Sequence, residues 1–355
     1  MKKYHVYGIG AALVDTELDV TDADLTNMQV DKGLMTLVDQ ARQAELLGHL
    51  ENHLVHSKRA SGGSAGNTII AASYFGGSTF FSGKVANDEN GDFYMQDMRN
   101  AGVDTVTVAA EDGVTGKCLI LITPDAERSM NTFLGASETF SGRELDEQAI
   151  ADSEYLYIES YLVTSDSGRA AAIQAREAAQ KNGTKIAISF SDPGIIAYFG
   201  DGVKAIMGDK VDLVFCNHDE ALSFAKVDNI SDAIEAIKLV ANEFVITLGA
   251  KGALIFDGNE LISISGVEVE AVDTNGAGDM FAGAYLYGIT HAMSREAAGD
   301  FASAAAAKVV SQYGPRLEAD DYRAIVKSFS WFFYCGWLVN LACWFWCAEF
   351  NRDYA

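Results

Sequence analysis

The chain has 355 residues, with 26 Lys and Arg against 50 Asp and Glu, and 49% of it is hydrophobic. That length suggests two or three average domains, or one large α/β domain with an appendage. The apolar content excludes disorder over most of the chain, and the net charge of −24 argues against a nucleic-acid binder, because a phosphate backbone wants a basic face.

Only Cys118 and Cys216 fall within the first 330 residues. No disulfide framework is therefore expected, and a reducing, cytoplasmic setting is. Residues 5–14 predict a first buried strand that ends in a glycine turn. Met1-Lys2-Lys3 and the apolar run behind it loosely imitate a signal peptide. That run is short, and Asp15, Glu17 and Asp19 follow at once, which favours the strand. Two alternating stretches, 16–20 and 34–38, flank an acidic polar patch. The spacing of Ala41, Ala44, Leu47 and Leu50 predicts a helix over 39–50, and 53–60 reads as a strand. Gly62-Gly63-Ser64-Ala65-Gly66-Asn67 opens a helix of small residues that runs to about Tyr74. A short strand at 79–83 and a helix over 92–101 come next. Residues 117–123 and 128–134 predict a hairpin around Pro124-Asp125-Ala126-Glu127.

From Tyr155 the pattern is regular. Strands at 155–159, 185–190, 213–216, 244–247 and 253–257 are interspersed with helices at 167–181, 220–225 and 231–241. That alternation predicts an α/β fold with a doubly wound, mostly parallel sheet flanked by helices. The stretches 16–37 and 115–135 break the rhythm. Together they predict a small β layer over the crevice where such sheets bind ligands, that is, a lid. The expected organisation is an α/β core over 1–14, 39–114 and 136–328, a β lid over 15–38 and 115–135, and an apolar tail over 329–355.

The tail is rich in Trp and Cys, and it carries no charge from Ser328 to Ala348. It is long enough for a bilayer-spanning helix. Three readings compete: a membrane anchor, an interface segment, or a foreign tail such as a frameshift would add. The abrupt change of composition favours the last. Cys343 and Cys347 share a helical face but make a poor metal site without further ligands.

The run that points most directly to chemistry is Asp273-Thr274-Asn275-Gly276-Ala277-Gly278-Asp279, ahead of a small apolar helix. Gly276, Ala277 and Gly278 carry almost no side chain, so their N–H groups allow close approach at a helix N-terminus, where the dipole favours an anion. An acidic Asp279 there is a poor phosphate ligand but suits a general base. A plain small-residue helix cap is the alternative. No G-x-x-x-x-G-K-[ST] and no G-x-G-x-x-G occurs, which weakens a dinucleotide oxidoreductase.

These residues match a family. The chain resembles the PfkB (ribokinase-like) carbohydrate and nucleoside kinases over about residues 4–327. Two motifs carry the likeness, Gly62–Asn67 and Asp273–Asp279, in the expected order and separation. The Gly62–Asn67 form and the segment 127–136 are more similar to the bacterial adenosine kinase branch than to ribokinase proper.

The resemblance implies an ATP-dependent kinase with a ribokinase-like fold. Asp279 would be the base and Gly276, Ala277 and Gly278 the anion hole. Arg128, in the lid segment, would reach the phosphates on closure. Asp15, Gly62, Gly63 and Asn67 would hold the acceptor's sugar. Glu159 matches a ribokinase-like substrate carboxylate instead, which leaves base and sugar specificity open. Asn217 and Glu220 match the family's N-x-x-E motif and would organise water-bound Mg²⁺. Thr247, Gly249, Gly252 and Asn275 would line ATP. Phe133, Leu134 and Met130 could flank a purine or pack in the core.

The expected reaction is transfer of the γ-phosphate to a primary hydroxyl of a nucleoside, adenosine above others. A kinase of a plain sugar such as ribose or fructose, and a nucleoside-binding protein without turnover, are the alternatives. The expected partners are small molecules, with no nucleic acid, and a membrane only if the tail is an anchor. A monomer or homodimer, and a possible monovalent cation, complete the reading.

Overall fold

The computed structural model describes residues 2–51, 59–106 and 111–329. Strand β1 (Tyr4–Ile9) leads into β2 (Leu13–Asp19), α1 (Asp22–Asn27), β3 (Met35–Leu37) and α2 (Gln40–His49). Then come β4 (Ala60–Gly62), α3 (Ser64–Tyr74), β5 (Thr79–Ser82), α4 (Glu89–Asn100) and β6 (Asp104–Thr105). A hairpin follows, β7 (Gly116–Ile122) and β8 (Arg128–Phe133), and after it α5 (Glu147–Ala151), β9 (Ser153–Glu159), α6 (Asp166–Asn182) and β10 (Lys185–Ser189). The remainder is α7 (Pro193–Met207), β11 (Val211–Asn217), α8 (His218–Ala225), α9 (Ile230–Lys238), β12 (Ala241–Thr247), β13 (Gly252–Phe256), β14 (Leu261–Ser265), α10 (Ala277–Thr290) and α11 (Arg295–Val310).

Among the described residues the large sheet runs β14-β13-β12-β11-β10-β9-β1-β5-β6. It is parallel from β6 to β12 and antiparallel through β13 and β14. This is the expected doubly wound, mostly parallel architecture. Strands buried on both faces are apolar without alternation, as in β11, where Leu213, Val214, Phe215 and Cys216 are all buried. One face packs α6, α7 and α9 through residues such as Ala175, Ile206 and Ile237. Each large aliphatic side chain so buried contributes roughly 1.5–3 kcal/mol. On the other face α3, α10 and α11 lie together.

The second sheet runs β3-β8-β7-β2-β4. Period-two alternation divides its side chains. Leu13, Cys118 and Ile120 point inward with Met130 and Leu134, while Leu18, Leu119 and Leu121 pack outward on Leu25, Leu46 and Leu50. The layer therefore has its own helices, α1 and α2. It also takes in β4, which pairs antiparallel with β2.

Several expectations need correction. The single strand over 5–14 is two strands in different sheets. The Ala11 N–H donates to Glu159 Oε1 (2.7 Å) and the Ala12 N–H to Ser137 Oγ (3.0 Å), so the chain leaves the first sheet after Ile9. The acidic patch contains α1, nucleated by a Thr21–Asp24 capping box. Helix α7 was hidden by Gly194, Gly200 and Gly202, although Asp192 caps it and Pro193 occupies its first turn. Helix α11 was also missed; Ser294 caps it. Helix α4 begins three residues early, at Glu89, because Asp88 caps it.

The chain divides into two units, Met1–Arg316 and Leu317–Ala355. The break falls at Pro315-Arg316, past the end of α11. Among the described residues no helix is long and apolar enough to cross a membrane. The tail expected over 329–355, apart from Phe329, and most of the strand expected over 53–60 lie outside the described residues.

Candidate active site

The C-terminal ends of the parallel strands and the inner face of the small sheet enclose a cavity of about 860 Å³. That size suits small-molecule sites. Of the residues singled out from the sequence, Asp15, Gly63, Asn67, Arg128, Glu159, Asn217, Glu220, Thr247, Gly249, Gly252, Asn275, Gly276, Ala277, Gly278 and Asp279 all line it. Gly62 does not. A Cβ on Gly62 would lie 2.0 Å from the Asp15 carboxylate, so Gly62 gives that carboxylate its room instead of touching a ligand itself.

Asp279 stands in the first turn of α10, behind Gly276. Gly276 has φ +73°, and a Cβ there would lie 2.6 Å from Pro315; only glycine fits this left-handed, crowded turn. The Ala277 N–H bends back to Thr274 O (3.3 Å). The next two amides, of Gly278 and Asp279, have no partner within the helix. The amides left open at this helix start are those of Gly278 and Asp279, one residue along from the expected Gly276–Gly278 set. Gly278 is exposed and meets nothing where a side chain would start.

Both Asp279 oxygens are held. Ser64 Oγ donates to Oδ1 (2.6 Å) and Asn67 Nδ2 to Oδ2 (3.2 Å). Burial raises its carboxyl above the usual range, while these two bonds and Arg128 oppose the rise. Its carboxylate is therefore a stronger base than that of an exposed aspartate.

Asp15 is 5% exposed and its carboxylate makes no hydrogen bond to a described residue. Burial, then the neighbouring Glu17 carboxylate, push it well up; Arg316 opposes and Asp279 adds to the rise. A buried carboxylate without donors costs several kcal/mol, which two ligand hydroxyls would relieve. Glu159 behaves differently. Its oxygens accept from the Ala11 and Ala65 N–H groups, both at 2.7 Å. Burial nevertheless pushes it up to about 7. It pins the β1–β2 turn to the start of α3.

Asn217 and Glu220 form a reciprocal capping box at α8. Asn217 Nδ2 donates to Glu220 Oε1 (2.8 Å), and burial raises Glu220 to about 7. Among the described residues no three His, Cys, Asp or Glu cluster as direct metal ligands. One buried carboxylate facing the cavity does fit Mg²⁺ carried mainly by water and phosphate. The Asn275 amide is engaged by the protein: its Nδ2 donates to Glu17 Oε1 (2.9 Å).

Arg128 on β8 reaches across from the small sheet. Its Nη1 donates to Thr274 O (2.9 Å), and its buried Nε has no partner among the described residues. Thr274 Oγ1 donates to Ala126 O (3.2 Å). The small sheet is thus bonded to the loop that leads into α10. Sequence reasoning missed Ser64, Glu17, Asp97, Thr274 and Arg316. Glu17 had a signal, since it shares a strand face with Asp15; Arg316 had none.

A parallel α/β sheet, a β cover and a carboxylate at a helix N-terminus within one crevice define a group-transfer enzyme built around an anion. The model of the pfkB family of carbohydrate kinases matches residues 33–321, and the chain belongs to that family. It is 28% identical to an adenosine kinase of Saccharomyces cerevisiae over 88% of this chain and 96% of that one. It is 29% identical to a ribokinase of Haemophilus influenzae over 72% and 82%. The solved adenosine kinase from Sinorhizobium meliloti superposes with a TM-score of 0.85 at 32% identity, over 91% of this chain and 99% of that one.

Proposed function

We infer that this PfkB kinase moves the γ-phosphoryl group of ATP to the primary hydroxyl of a nucleoside, with adenosine as the favoured acceptor. The observation that carries the reading is the buried, unbonded Asp15 carboxylate beside an apolar wall. Leu13, Ile120, Met130 and Leu134 line the same cavity, with Met35 and Leu37 at its edge. A ribose diol would bond Asp15 while an aromatic base covers that wall. A bare sugar would leave the wall wet, which the hydrophobic effect disfavours.

In this reading Asp279 takes the proton from the 5′-hydroxyl as its oxygen attacks the γ-phosphorus in line and the bond to the ADP oxygen breaks. The Gly278 and Asp279 amides and Arg128 stabilise the charge on the phosphoryl oxygens. Thr247, Gly249 and Gly252 border the nucleotide's side of the cavity. Glu220 and Asn217 would hold Mg²⁺ through water, and the ion would supply charge neutralisation at the phosphates. Closure of the small sheet keeps water from the γ-phosphate.

ADP release measured across a panel of nucleosides and free sugars tests the reading. Adenosine should give the highest kcat/KM. Preferred turnover of ribose or fructose would replace it with the plain-sugar reading, and binding of ATP and adenosine without ADP would replace it with a binding protein. Asp15→Ala should raise the acceptor KM by about 10- to 100-fold, the worth of one charged hydrogen bond at about 1.5–3 kcal/mol, with the ATP KM kept. An unchanged acceptor KM would remove Asp15 from the diol.

A further inference from the structure

Asn67 lies between two charged groups on opposite sides. Its Nδ2 donates to Asp279 Oδ2 (3.2 Å), and its Oδ1 accepts from Arg316 Nε (3.2 Å). A guanidinium carries only donors, so the amide atom facing it must be the oxygen. The nitrogen is then forced toward Asp279. Were the amide turned over, it would set two donors against each other at Arg316 and two acceptors against each other at Asp279.

Arg316 is itself tightly held. Nη1 donates to Asp97 Oδ2 (2.9 Å) and Nη2 to Ser61 Oγ (2.9 Å). Ser61 in turn donates to Asp97 through N–H (3.1 Å) and Oγ (2.5 Å). The guanidinium thus joins β4, α3 and α4. Its side chain is 12% exposed and that of Asp97 27%. Burial alone would raise Asp97, yet the Arg316 pair and the Ser61 bonds hold it below the ordinary value.

We propose that Arg316 is a positioning residue of the phosphotransfer site, fixing the Asn67 amide so that its N–H end faces the Asp279 carboxylate. Arg316 touches neither reacting oxygen. It acts through Asn67 by deciding whether the base receives a donor or an acceptor. This rests on Asp279 being the base.

Other charged and titratable groups also face Asp279: Asp15 on β2, Arg128 on β8, Tyr157 and Glu159 on β9, and Tyr161 just after β9. Arg316→Lys keeps the positive charge near them and removes only the planar fork, which a lysine cannot imitate. A change in Asp279 would then report the amide rather than the field.

The test is a ¹³C titration of aspartate-labelled full-length chain, with the Asp279 carboxyl resonance assigned from Asp279→Asn. Arg316→Lys should move the Asp279 midpoint up by about half to one pH unit, the worth of one lost hydrogen bond to the charged form. In an Asn67→Ala background the same substitution should add nothing. An unmoved midpoint in folded Arg316→Lys, or a further shift in the Asn67→Ala background, overturns the proposal. Should Arg316→Lys melt, Asp97→Asn carries the test: loosening Arg316 should raise the midpoint, and an unmoved midpoint refutes the role. No acceptor is present in the titration. Failure of the wild-type chain to phosphorylate adenosine would therefore count against the substrate reading and leave this result standing.

Discussion

Replacing Asp279 by Asn is expected to lower kcat by about 10²- to 10⁴-fold, the usual worth of a positioned acid or base, and to leave the KM for ATP near the wild-type value. The substitution keeps size and shape, so α10 and its Gly276 turn should stand. In the proposed reading it removes the proton acceptor. It also sets an amide against the Asn67 amide, which now donates to Asp279 Oδ2. Steady-state kinetics over a pH range checks this. The wild-type kcat/KM should fall toward low pH, because the reaction needs the carboxylate and burial has raised its pKa above the ordinary aspartate value. The fall therefore lies at a higher pH than an exposed aspartate would give. In Asp279→Asn the part of the acid limb owed to this group should vanish. Glu159 and Glu220, each pushed up to about 7 by burial, titrate near neutrality and should leave a residual limb. A variant that retains most of its kcat would remove Asp279 from the base role.

How much of this was legible in the sequence depends on the range of the interactions. The strand–helix alternation from residue 155 onward is local, and it yielded the parallel sheet. The hairpin around Pro124 was equally local, and its interruption of the rhythm correctly separated a second β layer. The failures were also local in origin. Glycines diluted the periodicity of α7, and an acidic surface disguised α1, although capping residues marked both. Motif reading brought most of the cavity together because each motif is a short backbone device with its own chemistry. It assigned Gly62 to a ligand because a sequence cannot show that its missing side chain makes room for Asp15, which lies 47 positions earlier. It could not pair Asn275 with Glu17, because nothing nearby announces that partner across 258 positions. Arg316 lies 249 positions from Asn67, outside every motif. Contacts of that span are made by the fold, and only coordinates reveal them.

Removing the Arg128 side chain, as in Arg128→Ala, should cost about 10²- to 10³-fold in kcat, comparable to losing one preorganised donor at a developing anion. The cavity is crowded with carboxylates: Asp15, Glu159, Glu220 and Asp279 all line it. A phosphoryl group entering such a place needs an opposing charge. Arg128 supplies one from the small sheet, with a buried Nε that has no partner among the described residues. It also holds Asp279 and Glu220 down against the rise that burial imposes. Its loss should therefore move the acid limb of kcat/KM to higher pH as well as lower kcat. Arg128→Lys should recover the charge but not the fork, and so restore the limb more fully than the rate. The lid adds a mechanical reason. Arg128 and Ala126 bond Thr274, and Glu17 bonds Asn275, so three points of the small sheet and its hairpin turn grip the loop that leads into the Gly276 turn. In the proposed reading, closure of this sheet and the geometry of the Gly278 and Asp279 amides would be one event, and a sheet without Arg128 should close less firmly on ATP. Single-turnover kinetics with the alanine and lysine variants would separate the two effects. If both variants transfer phosphate at the wild-type rate, Arg128 neither stabilises the migrating group nor holds the lid.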